Sequence, residues 1–88
     1  MGEVAVLFRV MPTEVETDLK ALGESVRTAI PSGVRIRGMQ IKDIAYGLKA
    51  LLISVVMGDT GGVLEATEKA LAALPHVASV EVLEEGLL

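Results

Sequence analysis

The chain has 88 residues, enough for one hydrophobic core and not for two, and 51% are hydrophobic, so a core is expected without a metal or disulfide staple. It contains no cysteine, which excludes disulfides, thiolate metal sites and cysteine nucleophiles and suits a reducing compartment. A formal net charge of −4 argues against binding nucleic acid through bulk electrostatics.

Val4, Val6, Phe8 and Val10 alternate with Ala5, Leu7 and Arg9, the period-two pattern of a strand, and Met11-Pro12 ends it because proline cannot donate to a ladder. Thr13 with Glu16 reads as a capping box, and Glu16 and Asp18 suit the positive end of a helix dipole. Leu19, Leu22, Val26, Ala29 and Ile30 recur at helical spacing and predict a helix over Thr17–Ile30, stopped by Pro31-Ser32-Gly33. Val34 and Ile36 then alternate with Arg35 and Arg37, but beyond Gly38 the apolar positions change parity to Met39 and Ile41. A bulge at Gly38 would put all four on one face.

Lys42 and Asp43 lead into a turn around Ala45-Tyr46-Gly47, and Leu48–Met57 is apolar on both parities, as a central strand should be. Gly58–Gly62 is a loop, with Asp59 or Thr60 expected to cap a second helix marked by Leu64, Thr67, Leu71 and Leu74 and closed by Pro75. Ala78, Val80 and Val82 predict a last short strand, and Glu84-Glu85-Gly86 begins a tail. The longest apolar run, Ala50–Met57 with Ser54 inside it, is too short to cross a bilayer, and Glu3 is the wrong charge for a signal peptide. A cytoplasmic setting without membrane contact is expected. The absence of Asn and the single Gln, Gln40, match the amide depletion of thermophile chains.

The order strand, helix, strand, strand, helix, strand predicts one α+β domain over residues 1–88 of ferredoxin-like βαββαβ architecture. In it a four-stranded antiparallel sheet carries two helices on one face, and right-handed crossovers place the first and third strands in the centre. Leu19, Leu22, Val26, Leu64, Leu71 and Leu74 would then pack against Val4, Val6 and Phe8. With one Phe, one Tyr and no Trp, that core has to be aliphatic.

Catalytic sets are missing from the residue list. His76 is the sole histidine and follows Pro75, as an exposed turn residue would, and Glu81, Glu84 and Glu85 read as a solvated acidic edge. Gly58–Gly62 has neither the ending of a phosphate-binding loop nor the spacing of a dinucleotide fingerprint. An RNA recognition motif needs aromatics on its strands, a metal chaperone of this fold needs a Cys-x-x-Cys loop, and an acylphosphatase needs an Arg in the first loop and an Asn. Met11–Glu16 holds no Arg, and the chain offers none of the rest beyond Phe8. No enzyme chemistry and no cofactor are expected. Tyr46 beside Gly47, between Lys42 and Lys49, is left with two readings. It is an anchor for an acidic protein partner, or it covers the end of the sheet.

Four segments carry a resemblance. Val10-Met11-Pro12 before an acidic helix start, Ile44-Ala45-Tyr46-Gly47-Leu48-Lys49-Ala50-Leu51, Gly58-Asp59-x-Gly61-Gly62 and Val77-x-Ser79-Val80-Glu81-Val82 together resemble the archaeal elongation factor one-beta family, in order and over nearly the whole chain. The resemblance implies a guanine nucleotide exchange factor that docks on the elongation factor one-alpha GTPase and loosens its nucleotide and magnesium. It also implies that Tyr46 with Gly47 is the aromatic–glycine pair that holds the GTPase. Eukaryotic relatives carry a lysine just before the C-terminus, where this chain has Leu87, and Lys42 and Lys49 are the cations proposed in its place. The alternative is a small-molecule-binding regulatory module of the same fold that oligomerises through its sheet, supported by the glycine loop alone.

Overall fold

Alternation and helical spacing dictate the order of elements. A computed structural model describes residues 2–59 and 61–88 as β1 (Glu3–Pro12), α1 (Leu19–Ala29), β2 (Arg35–Ala45), β3 (Leu48–Gly58), α2 (Val63–Ala72) and β4 (Val77–Leu87). The strands form one antiparallel sheet in the order β2-β3-β1-β4, so the first and third strands are central as expected, and the fold is the α+β ferredoxin-like arrangement. Among the described residues no helix is long and apolar enough to cross a membrane.

Both helices cover one face. Val4, Val6, Phe8 and Val10 of β1 and Leu51, Ile53, Val55 and Met57 of β3 are buried with Leu19, Leu22 and Val26 of α1 and Leu71 of α2. Leu64 and Leu74 are only half-buried at the margin of that cluster. Among the described residues Thr67 is the one polar side chain that is fully buried, and its hydroxyl donates to the Val63 carbonyl at 2.8 Å, so that hydroxyl is paired. Gly23 lets α1 approach β2 closely, because a Cβ at that position would stand 3.2 Å from Met39 Sδ.

The predicted bulge is present. Ile36 pairs with Val55 and Gly38 with Ser54, which leaves Arg37 as the extra residue. Ile36, Met39 and Ile41 therefore oppose Val55, Ile53 and Leu51 and share the helix-covered face with them. A second slip, between Asp43 and Ala45, inserts Ile44 just before the turn.

Three local expectations are corrected. The cap of α1 is Asp18, whose carboxylate accepts from the Lys20 and Ala21 amides at 3.1 Å each, and the Thr13–Glu16 pair lies before the helix in a turn closed by Thr17 N donating to the Glu14 carbonyl. Asp18→Ala should therefore cost about 1 kcal/mol. It should lower the thermal midpoint by roughly 4–8 °C, read by circular dichroism. For α2 the cap is Gly62, at φ 90 with no side-chain hydrogen bond. Asp59 instead donates its amide to the Gly2 carbonyl at 2.9 Å, and Thr60 lies outside the described residues. Finally, Glu84-Glu85-Gly86 is strand and not tail. It pairs with Leu7, Val6 and Ala5 because β1 would otherwise carry an unpaired ladder edge, and Leu83 bulges out to keep the register.

Candidate functional site

Strands of 10 or 11 residues reach about 36 Å, whereas helices of the same count reach about 16 Å, so the sheet overhangs its helical layer. The molecule is accordingly elongated, with a longest dimension of 42 Å. The β2–β3 hairpin projects beyond the start of α1, and its tip is Tyr46-Gly47. Ala45 pairs with Leu48, which makes this a two-residue turn with φ 53 at Tyr46 and φ 80 at Gly47. Positive φ at both centres is the type I′ geometry that matches strand twist, and it favours Asn, Asp or Gly. Gly47 satisfies that demand and Tyr46 does not, since a side chain in the left-handed region crowds the following carbonyl.

Tyr46 is also fully exposed. It buries no area against the end of the sheet, which removes the covering role as an account of its presence. A bulky residue held at positive φ with nothing to pack against is the kind of local cost found at functional positions.

The structure separates the two lysines that flank the turn. Lys42 pairs with Ala50 and projects from the open face of the sheet, whereas Lys49 pairs with Asp43 on the parity of Leu51 and projects on the helix side. Neither lysine, nor Lys20 at the start of α1, makes an ion pair among the described residues, where the pairs are Arg9–Glu81 at 2.6 Å and Arg35–Glu3 at 2.8 Å. The hairpin tip thus carries a lysine on each face, with Asp43 opposite Lys49 on the helix side. Glu81, on the solvated acidic edge, accepts from Arg9 Nη2 and stays 50% exposed. Leu87 pairs with Val4 at the opposite end of the sheet from the turn, so Lys42 and Lys49 do not occupy its neighbourhood.

Sequence reasoning did not single out Val15. It lies in the β1–α1 loop and is 60% exposed, and a Cβ on Gly47 would stand 3.9 Å from its Cγ1. Val15, Ile41, Ile44 and Tyr46 form an exposed apolar end to the molecule. The loop's own periodicity gives no hint of this, because the contact depends on where the hairpin folds back.

The exposed His76 adopts φ 69, and its carbonyl accepts from the Thr13 amide at 2.9 Å. With Glu14, Glu16 and Ser25 it borders an open cleft of about 500 Å³. Among the described residues no group of three or more His, Cys, Asp or Glu is placed to hold a metal.

Residues 5–87 match the family described as the EF-1 guanine nucleotide exchange domain. The chain is 45% identical to elongation factor 1-beta of Methanococcoides burtonii over 86 residues, covering 98% of this chain and 97% of that protein. It is 41% identical to elongation factor 1-beta of Halorubrum lacusprofundi over 88 residues, the whole of both chains. Among solved structures, the C-terminal domain of the MgtC protein from Mycobacterium tuberculosis superimposes with a TM-score of 0.59 over 99% of this chain and 88% of that one. At 17% identity that likeness concerns the fold alone.

Proposed function

The chain belongs to the EF-1 guanine nucleotide exchange domain family, and from that membership we propose that it docks on the elongation factor one-alpha GTPase through the Tyr46-bearing hairpin. Its role is guanine nucleotide exchange in translation elongation, in the cytoplasm, and it makes and breaks no covalent bond. The observation that carries the docking assignment is Tyr46 itself, fully exposed at φ 53 on a projecting tip flanked by Lys42 and Lys49. An aromatic side chain offers broad contact area with few torsions to freeze, and lysines beside it favour approach to an acidic surface.

The mechanism is differential binding. A partner that binds the nucleotide-free GTPase more tightly than the GDP-bound form weakens GDP by the same factor by which GDP weakens the partner. Docking therefore loosens the nucleotide and its magnesium, GDP departs, and GTP from solution displaces the factor as it binds. Nothing in this cycle asks the exchange factor for an acid, a base or a nucleophile. The small-molecule module had only the glycine loop in its favour, and that loop is a connection whose Gly62 begins α2.

The test is release of labelled GDP from the GTPase of the same organism, with and without this protein. Release should accelerate in a saturable way. An unchanged rate at saturating protein would overturn the reading.

A further inference from the structure

We propose that the face of the sheet that the helices leave uncovered is the contact surface of a homodimer. A second copy of this chain lies against it about a two-fold axis that runs along the strands, between β1 and β3. Strand register defines the face. Leu7 and Arg9 alternate with the buried residues of β1, as Leu52 and Ser54 do with those of β3. Leu7 pairs with Ser54 on one side and Glu84 on the other, and Ser54 pairs in turn with Gly38. Glu84, Leu7, Ser54 and Gly38 therefore form one row across the sheet, with Arg37 bulged beside Gly38. Tyr46 is at the hairpin turn, outside this face, and the inference does not depend on the exchange-factor reading.

Charge argues for a second copy as the occupant. Arg9–Glu81 and Arg35–Glu3 are already ion-paired within the chain. What is left on this face is Arg37 and Lys42 of β2, at one edge of the sheet, and Glu84 of β4, at the other. None of these three makes an ion pair among the described residues, and all are exposed. Arg37 and Glu84 border one open hollow of about 670 Å³ from opposite edges. Three strand spacings, roughly 14 Å, lie between their strands. A two-fold axis along the strands exchanges the edges and keeps the row, so Arg37 of each copy meets Glu84 of the other. Size agrees with charge. The same axis sets Leu7 of one copy over Ser54 of the other, large on small, as packed layers require. Gly38 leaves room for the incoming Glu84, since a Cβ there would meet nothing within 4 Å. Four strands about 4.8 Å apart and about 36 Å long give a face of roughly 700 Å². That approaches the ~800 Å² per partner of a stable contact, and sheets stack face to face in this way.

The test is sedimentation equilibrium of wild type, of Arg37→Glu and Glu84→Arg separately, and of the two variants mixed, with circular dichroism of each to establish that it is folded. Wild type should pass from monomer to dimer as its concentration rises through the micromolar range. Each variant alone should dimerise at least about tenfold more weakly, because it sets like charges against each other at both Arg37–Glu84 contacts. The mixture should recover the dimer, since one variant paired with the other has opposite charges at both contacts. A role within one chain could not be rescued by mixing. A dimer that both variants form as well as wild type would overturn the proposal, and so would losses that mixing does not repair. Wild type that stays monomeric at millimolar concentration would overturn it too, and slower stimulated GDP release in the same two variants would then give the face to the GTPase.

Discussion

Leu71→Ala is expected to cost about 3 kcal/mol of folding stability, within the usual range for emptying a leucine site in a packed core. Leu71 is fully buried, and it is the only apolar residue of α2 that is, so the helix has no second anchor of equal weight. The core cluster that holds Leu71 also holds apolar residues of the two central strands, Phe8 among them, and Leu19, Leu22 and Val26 of α1. A chain of this length has of the order of 4–13 kcal/mol of stability in all, so the loss is a large fraction. The thermal midpoint should fall by roughly 15 °C. Leu83→Ala is the matched control. Leu83 is 42% exposed at a bulge of β4, and its removal should change the midpoint little. Equal losses in the two variants would mean that α2 does not sit where Leu71 places it.

The reason that the core was legible in the sequence is that burial imposes period. Val4 to Val10 and Leu19 to Val26 show their faces directly, and even the slip at Gly38 left a trace, since a strand that changes parity needs one residue out of register. What stayed illegible had no period to impose. Asp18 and the Thr13–Glu16 pair carry equally good cap chemistry, and only the turn over 14–17 decides between them. The end of the last strand looked like a tail because Glu84, Glu85 and Gly86 resemble solvent-facing sequence. They are strand because β1 supplies ladder partners from a distant part of the chain, a tertiary demand that overrides local preference.

The candidate site divides in the same way. Tyr46 stood out as the single tyrosine at a turn, a matter of composition and position. Its φ did not stand out, because no sequence rule places tyrosine in a left-handed turn. The two lysines were visible as neighbours in sequence, but the strand pairing sends them to opposite faces, which spacing across a turn alone does not reveal. Val15 was invisible, since its significance comes from standing near Gly47, a residue more than a helix away in the chain.

Tyr46→Asn and Tyr46→Ala together are expected to separate what this residue does for the fold from what it does for the partner. At φ 53, followed by Gly47 at φ 80, the turn has the geometry that Asn-Gly adopts most readily. Tyr46→Asn should therefore raise stability by about 0.5–1 kcal/mol through relief of the left-handed strain. Tyr46→Ala should leave stability nearly unchanged, because alanine keeps the strain and the exposed ring contributes nothing to the core. Both should slow stimulated GDP release at least about tenfold, which corresponds to ~1.4 kcal/mol lost from an anchor contact. The pairing of assays matters more than either alone. A variant that is more stable and less active cannot owe its defect to unfolding, so reduced exchange in Tyr46→Asn at a raised midpoint would assign the ring to the partner. Undiminished exchange in a well-folded Tyr46→Asn would take Tyr46 out of the docking surface, and a lowered midpoint would mean that the tyrosine supports the hairpin in a way its full exposure does not suggest.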